Sequence, residues 1–387
     1  MNQFRFLAAV AVGLFFTMAA SLMLAPLLVA IAAEFDTSVA VAGQLATVTF
    51  AAWAVSVVTV GPLSDSFGRK PVALIGLSLL SVGVLASAFA PNLGILMALR
   101  VVTGLGGGMM PPNSLAAVAD SITPARRAQA VAGLMAFTTL SSVIGIPLVA
   151  IGADWGGWRL PFLIMGSLLA AVTVLNWFWF PRNEGAGLRS FSFFSRYRTL
   201  LTIPEFRSAL AVNLAQRMAF FALLSYLSAY LIDTYHLSVG AVALPLAVVG
   251  IGTMIGNYMG APVANRKDRM TLIAASTLAG GAASLLLLSI DAPIWVVVAI
   301  ASVGTMLLSI GFPVLLTLST EVSGQSRATG VGLMGFSNQS GGVGGAALGG
   351  VLLATSGFPG VGYLCLGAAA FSVVVTALFM RKPARAA

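Results

Sequence analysis

Long runs of apolar residues, separated by short polar segments, make up nearly the whole chain. A run of about 20 apolar residues is long enough to cross the hydrocarbon core of a bilayer as a helix. The twelve predicted membrane helices cover residues 6–33, 41–63, 72–90, 93–119, 128–152, 160–180, 208–233, 239–263, 271–290, 293–319, 328–355 and 358–380. The first run is longer than the apolar core of a cleavable signal, about 7–15 residues, so it is interpreted as a membrane helix.

The composition points to the same class of protein. Hydrophobic residues make up 59% of the chain and charged residues 8%, and the mean hydropathy is +1.00. A soluble domain carries roughly 25% charged residues. This chain therefore lacks the polar residues to cover a surface in water, and an all-α integral membrane fold is predicted.

The net charge of +9 comes from basic residues in short loops between apolar runs. That distribution indicates membrane orientation and disfavours a nucleic-acid partner. With the N-terminus inside, 17 of the 20 Lys and Arg residues lie on the cytoplasmic side; Arg159 lies outside, and Arg100 and Arg217 lie within helices. The sequence thus predicts a multi-pass protein of a bacterial-type cytoplasmic (inner) membrane, with both termini cytoplasmic.

The two halves of the chain repeat at an offset of about 200 residues. Residues 133–137 read Gly-Leu-Met-Ala-Phe and residues 332–336 read Gly-Leu-Met-Gly-Phe. Such matches predict a six-helix unit duplicated in parallel, with the substrate path between the copies. The predicted domains are an N-terminal six-helix bundle (1–180), a cytoplasmic basic linker (181–205) and a C-terminal six-helix bundle (206–387). The linker mixes arginines with aromatic residues, which suits either an interfacial helix or a solvated connection.

The loop after the second predicted helix carries the most specific motif. It reads Gly61-Pro-Leu-Ser-Asp65-Ser-Phe-Gly68-Arg69-Lys70. Glycine suits close approach and unusual dihedral angles in a tight turn, and Asp65 can accept a hydrogen bond from Arg69. The loop resembles the signature G-x-L-x-D-x-x-G-R-[RK] of the major facilitator superfamily at every fixed position. The resemblance implies that Gly61, Asp65, Gly68, Arg69 and Lys70 form a gating loop that locks one access state.

A second, degenerate copy of this loop runs from residue 260 to residue 269. It has Asn265 where the first copy has Asp65. The stronger latch is therefore expected in the first half.

Two further segments extend the resemblance. Arg100, Gly104 and Gly106 are similar to the R-x-x-x-G-x-G motif of the superfamily, and a guanidinium in the membrane is costly unless it meets water or a partner. The alternative is an arginine satisfied by carbonyls that only shapes its helix.

The fifth helix resembles the twelve-helix drug:proton antiporter family, which includes multidrug, chloramphenicol and sugar exporters. Only Gly133 and Pro147 match the antiporter motif of that family, so membership is better supported than antiport; Pro147 is expected to bend the helix.

Polar and aromatic residues inside apolar runs are candidates to line a central cavity. Facing a wet cavity costs a polar group less than facing lipid. The predicted central-cavity residues are Arg100, Asn113, Asn213, Gln216, Arg217, Phe220, Tyr226, Asn338 and Gln339. Each has the alternative role of an interhelical hydrogen bond.

No acidic residue falls near the middle of a predicted span. Many proton-coupled exporters carry such an acid, whose pKa is raised by burial. Proton coupling is therefore assigned to acids at the membrane edge, Glu34, Asp65 and Asp120. Two buried arginines without a central acid also predict an electropositive cavity, which favours neutral or anionic solutes over cations.

These observations predict a secondary active transporter that exports small drug-like or metabolite solutes by alternating access, coupled to protons. The alternatives are an uptake permease for a sugar or organic acid, and a non-transporting membrane sensor, which would need a soluble output domain. No P-loop and no catalytic cluster occur, so neither a primary pump nor an enzyme is expected. No cofactor or metal is expected, since Cys365 and His236 are single residues of their kinds. The expected partners are a small-molecule substrate, protons and the bilayer, and the chain is expected to act as a monomer.

Overall fold

A computed structural model of the chain describes residues 3–181, 193–324 and 327–380, and these residues form helices and short connections without any strand. The helices are α1 (Gln3–Leu22), α2 (Leu28–Glu34), α3 (Val39–Ala42), α4 (Gln44–Phe67), α5 (Arg69–Ser87), α6 (Leu93–Ser121), α7 (Pro124–Leu140), α8 (Ile146–Gly156), α9 (Arg159–Trp179), α10 (Phe193–Leu201), α11 (Pro204–Tyr235), α12 (Ala243–Ala264), α13 (Arg269–Leu287), α14 (Ile294–Val322) and α15 (Arg327–Phe379).

Within the described residues, eleven helical segments are long and apolar enough to cross a membrane. The last of them, α15, contains two helices, because Gly357 interrupts it with φ 66° and ψ −164°. Twelve crossings result, and they coincide with the twelve apolar runs. The predicted all-α membrane fold is confirmed.

Two of the crossings are broken by local backbone features. In the first, a 3-10 turn at Ala25–Leu27 separates α1 from α2. In the fifth, a π-helical turn at Ser141–Gly145 separates α7 from α8, two residues before Pro147. Proline has no N–H, so the regular hydrogen bond to the carbonyl four residues earlier cannot form, and a wider turn accommodates the loss.

The chain divides into two compact units. The first comprises Met1–Phe191 and Leu227–Gly250, and the second comprises Ser192–Tyr226 and Ile251–Ala387. Part of the predicted linker, residues 182–192 with Arg182 and Arg189, lies outside the described residues, and α10 follows it. The sequence-based domain boundaries and the interfacial position of the linker stay predictions.

In the first unit, the glycine-rich stretch of α6 packs closely against α4 on one side and α5 on the other. A Cβ added to Gly106 would lie 2.6 Å from the carbonyl oxygen of Gly76 on α5, and one added to Gly107 would lie 2.5 Å from the Trp53 ring on α4. Any side chain would therefore force the helices apart. Close approach of this kind holds membrane helices together by dispersion contacts.

The second unit uses glycine in the same way. Three glycines four residues apart on α12 lie against backbone carbonyls of α14; the pairs are Gly252 with Ser302, Gly256 with Met306 and Gly260 with Ile310. On α15, a Cβ on Gly341 would lie 2.6 Å from the Leu214 carbonyl oxygen of α11. These stripes are helix contacts that leave no room for larger residues.

Candidate gating and binding sites

The junction between α4 and α5 is a turn that only glycine adopts easily. Gly68 has φ 92° and ψ 154°, and its N–H donates to the Ser64 carbonyl oxygen at 3.0 Å, which closes the end of α4. The backbone then enters α5 directly at Arg69. This left-handed region carries a penalty for any residue with a Cβ. The turn therefore explains why the motif needs glycine at this position.

The Arg69 side chain connects three helices of the first unit. Its guanidinium lies 2.6 Å from the Asp65 carboxylate on α4 and 3.1 Å from the Asp120 carboxylate on α6, and it donates to Ser64 Oγ at 2.5 Å. Only 18% of the Arg69 side chain is exposed, while the two carboxylates are about half exposed. A planar guanidinium can bind two carboxylates at once, so Arg69 joins α4, α5 and α6 at one end.

Two more contacts fix the start of α5, whereas Gly61 of the motif approaches no neighbouring helix within the described residues. Asn113 Nδ2 donates to the Arg69 carbonyl oxygen at 2.7 Å, and Lys70 Nζ donates to the Trp177 carbonyl oxygen of α9 at 2.5 Å. Gly61 lies inside α4, and no described atom lies within 4 Å of the position its Cβ would take. The turn of the motif is therefore made at Gly68, and the expected close approach at Gly61 is not present within this unit.

The second copy of the loop has a smaller set of contacts. Arg269 donates to both oxygens of Glu321 on α14, at 3.1 and 2.7 Å, and to the Ala264 carbonyl oxygen at 3.0 Å. Asp268 occupies the position of Gly68 and pairs with Arg266 at 2.8 Å. The hydrogen bond from Arg266 lowers the pKa of Asp268, and the same bond raises the pKa of Arg266.

Arg100 is completely buried between helices of the first unit. Its Nη2 donates to Ser87 Oγ at 2.8 Å and to the Gly83 carbonyl oxygen at 3.4 Å, and its guanidinium lies 4.9 Å from the centre of the Phe162 ring. No acidic side chain among the described residues pairs with it. Arg100 is seven residues from the start of α6, roughly 10 Å along the axis, so it lies toward the end of α6 opposite Asp120.

Arg217 is buried deep in the second unit. Its Nη2 donates to the Leu308 carbonyl oxygen at 3.0 Å, and its guanidinium contacts the rings of Phe220 at 4.7 Å and Phe312 at 5.1 Å. It too has no acidic partner among the described residues. It is 13 residues from the start of α11, roughly 20 Å along the helix. Two aromatic faces and one carbonyl are what compensate its charge.

The remaining cavity candidates of α11 bridge to other helices of the second unit. The bonds are Asn213 Nδ2 to Ser337 Oγ at 3.1 Å, Gln216 Nε2 to Thr277 Oγ1 at 2.9 Å and Tyr226 Oη to the Ala346 carbonyl oxygen at 2.6 Å. On α15, Asn338 is half-buried and Gln339 is buried. Asn213 Oδ1, Gln216 Oε1 and Gln339 Oε1 have no partner among the described residues. That these residues line a central cavity stays a prediction.

The three candidate coupling acids are all engaged in ion pairs with arginine. Glu34 accepts hydrogen bonds from Arg159 and from Trp158 Nε1, and Arg159 also donates to the Ala90 carbonyl oxygen at 3.2 Å. This cluster lies at the end of the first unit opposite Arg69, which holds Asp65 and Asp120. Nothing in the sequence connected Trp158 to Glu34, which lies 124 residues earlier in the chain.

Comparison with known proteins agrees with this architecture. The family model of the Major Facilitator Superfamily matches residues 10–346. An inner membrane transport protein of Escherichia coli, YdhP, is 30% identical over 250 residues, 64% of this chain and 62% of that protein. A gentisate transporter of Corynebacterium glutamicum is 32% identical over 169 residues (41% of this chain, 37% of that protein), and a multidrug resistance protein B homologue of Mycobacterium tuberculosis is 33% identical over 166 residues (42% and 30%).

A solved structure has the same fold over the whole chain. A bacterial homologue of the human lysosomal transporter Spinster superposes with a TM-score of 0.79, at 18% identity and with full coverage of both chains. With a family model that covers most of the sequence, the assignment is clear. The chain belongs to the Major Facilitator Superfamily and is a multi-pass integral membrane protein.

Proposed function

We propose that this protein is a secondary active transporter that exports small drug-like or metabolite solutes by alternating access, driven by the proton gradient across a bacterial-type inner membrane. The observation that supports it best is the Arg69 cluster, in which one guanidinium holds Asp65 and Asp120 on different helices. Such a cluster stabilises one access state and must open for the other. The multidrug resistance relative of Mycobacterium tuberculosis favours export.

The same cluster supports the proposed proton coupling. A carboxylate that takes up a proton loses most of its attraction to a guanidinium, so protonation of Asp65 or Asp120 would release Arg69. Glu34 and Arg159 would act in the same manner at the other end. In this proposal the gradient works by breaking ion pairs at the membrane edge.

The test is transport in everted and right-side-out vesicles with a solute panel, with and without a pH gradient. We expect gradient-dependent uptake into everted vesicles, and its loss in Asp65→Asn together with Asp120→Asn. Asp36→Asn is the matched control, because Asp36 lies at the other end and has no ion pair among the described residues. Uptake that persists without a gradient would contradict proton coupling.

A second candidate is uptake of a neutral or anionic solute. Arg100 and Arg217 are buried without an acid among the described residues, and one relative is a gentisate transporter. The panel should therefore contain matched anionic and cationic solutes. Accumulation in right-side-out vesicles would favour this candidate, and a strong preference for cations would exclude the electropositive cavity.

The orientation is proposed from the basic loops, with both termini and the Arg69 end cytoplasmic. Cys365 is fully buried, so single cysteines can be introduced into the natural chain with little background. A membrane-impermeant maleimide added to intact cells should label Asp36→Cys and leave Lys267→Cys unlabelled. The reverse labelling pattern would overturn the proposed orientation. The expected assembly is a monomer, with a protein mass of about 40 kDa plus bound detergent.

A further inference from the structure

A cleft of about 600 Å³ opens in the first unit between the N-terminal half of α1 and most of α7. Phe4, Leu7 and Phe137 contribute to apolar walls, while Arg126 and Gln129 supply polar groups. Along α7 the cleft extends from Arg126 to Phe137, eleven residues or roughly 16 Å. Its volume falls in the range of small-molecule sites, about 300–1,000 Å³.

The repeated position in the second unit is filled by the chain itself. Leu7, Ile122 and Leu134 of the cleft correspond, at offsets of 199–200, to Phe206, Val322 and Leu333. There, Tyr197 and Leu200 of α10 pack onto these three residues and form a small apolar cluster. An aromatic ring and an aliphatic side chain thus occupy the space that the first unit leaves open.

The glycine at the start of the repeated pentapeptide shows the same difference. A Cβ on Gly332 would lie 3.6 Å from the Tyr197 hydroxyl oxygen, whereas no described atom lies within 4 Å of the corresponding position on Gly133. Phe137 is 40% exposed and Phe4 is 77% exposed on the walls of the cleft. Mostly apolar walls with a few polar groups, here Arg126 and Gln129, around one open volume are typical of a small-molecule site.

The charge of the cleft lining indicates which class of apolar ligand could bind there. Arg126 is the one charged residue among the described residues of the lining, and it forms no ion pair with another described side chain. Its neighbour Arg127 instead donates to the Ala119 carbonyl oxygen at 2.6 Å. A guanidinium in the first turn of α7, beside apolar walls that extend deeper, complements a ligand with an acid group at one end and a ring at the other.

We propose that this cleft binds an aromatic organic anion, with its carboxylate on Arg126 and its ring between Phe4 and Phe137. The ligand enters from the aqueous phase at the Arg69 end of the unit. The proposal deepens the transport function by naming the solute class that first contacts the protein at this end. The role of the cleft in transport rests on the proposed function. Binding at the cleft does not, because binding itself requires no gradient.

The test is calorimetric titration of the purified full chain in phosphatidylcholine nanodiscs with 1-naphthoate, and with 1-naphthylmethylammonium as the matched cation. We expect 1-naphthoate to bind and the cation to bind much more weakly. Gly133→Leu should abolish binding, because the new side chain fits the open space and fills the cleft. Gly367→Leu on α15 is its control, since Gly367 also has open space around its Cβ position.

Arg126→Gln should weaken 1-naphthoate binding about tenfold, the loss expected for one charge-assisted hydrogen bond, and remove the preference for the anion. Arg207→Gln, another exposed arginine at the start of a crossing, should change binding less than twofold in the same assay, as expected for a distant surface charge. Each variant is first checked for an unchanged thermal transition.

Three outcomes would overturn the proposal. They are unchanged affinity in Gly133→Leu, equal affinity for the cation, and loss of 1-naphthoate binding when the nanodiscs contain phosphatidylglycerol, which would identify the occupant as a lipid. Binding without transport in vesicles would instead refute the proposed function and leave this site standing. Transport without binding would do the opposite.

Discussion

The α4–α5 junction and its copy between α12 and α13 differ in the number of side-chain contacts that each one makes. In the first copy, Arg69 joins Asp65 and Asp120 and its carbonyl is fixed by Asn113. In the second copy, Glu321 on the next long helix is the one acidic partner of Arg269 among the described residues. Both copies share one ion pair, between an arginine at the start of one helix and an acid near the end of the next. The added acid and amide make the first copy the tighter cluster.

The largest expected difference between the two copies is in the transport rates of variants at Arg69 and Arg269. Arg69→Ala should reduce the transport rate about tenfold or more, within the range of coupling energies of about 1–3 kcal/mol between conformational states. Arg269→Ala should reduce it roughly threefold, since one exposed ion pair is worth at most about 1 kcal/mol. Initial rates in everted vesicles, normalised to the amount of transporter, measure both. Equal losses would show that the second copy contributes as much as the first.

A second comparison separates two glycines of the same motif. Gly68→Ala should destabilise the protein by about 1–3 kcal/mol, because its φ of 92° is strained for any other residue. Gly61→Ala should be neutral or stabilise by up to about 1 kcal/mol, because Gly61 is helical and has open space around it. Thermal unfolding in detergent distinguishes them. If Gly61→Ala folds normally yet stops transport, Gly61 is needed for close approach in the other access state.

The third prediction concerns the amide that only the first copy has. Asn113→Ala should cost about 0.5–1.5 kcal/mol of stability, because it removes the interhelical hydrogen bond that Asn113 donates to the Arg69 carbonyl oxygen. Asn265→Ala, at an exposed position in the second copy, should stay within about 0.5 kcal/mol. Thermal unfolding in detergent measures the stability changes of both variants. A neutral Asn113→Ala would mean that the start of α5 is held by Lys70 and Arg69 alone.

The smallest effect is expected from restoring the missing acid. Asn265→Asp places a carboxylate where the first copy has Asp65 and should stabilise by about 0.5 kcal/mol at most, since the position is exposed. A double-mutant cycle with Arg269→Ala isolates the new pair. A coupling energy of zero would show that position 265 cannot reach Arg269 as Asp65 reaches Arg69.

The sequence predicted the membrane spans well, because span length follows from the thickness of the bilayer. Predicted span 93–119 became α6, Leu93–Ser121, with nearly the same ends. The start of α5 was less predictable: the apolar pattern placed it at residue 72, but the turn at Gly68 lets the helix begin at Arg69. Helix ends depend on backbone conformation and charged residues, which hydropathy does not report.

The contacts of polar residues were harder to predict than their positions. In a lipid-embedded helix apolar residues are not confined to one stripe, so the pattern does not show which side of α6 turns toward α5. The sequence left Asn113 open between a cavity position and an interhelical hydrogen bond, and it did not show that its side chain donates to the Arg69 carbonyl oxygen. A signal for the Arg69–Asp120 pair did exist, since an acid recurs near the same place in both halves, as Glu321.

The π-helical turn at Ser141–Gly145 also changes how the fifth crossing must be counted. Such a turn amounts to one extra residue in the helix, and one residue corresponds to a rotation of about 100°. Residues of α8 therefore face a direction one step away from the one that a continuous helical wheel drawn from Gly133 assigns. Scanning mutagenesis across this segment should show a phase shift after Gly145, with the periodicity of sensitive positions restarting one residue late.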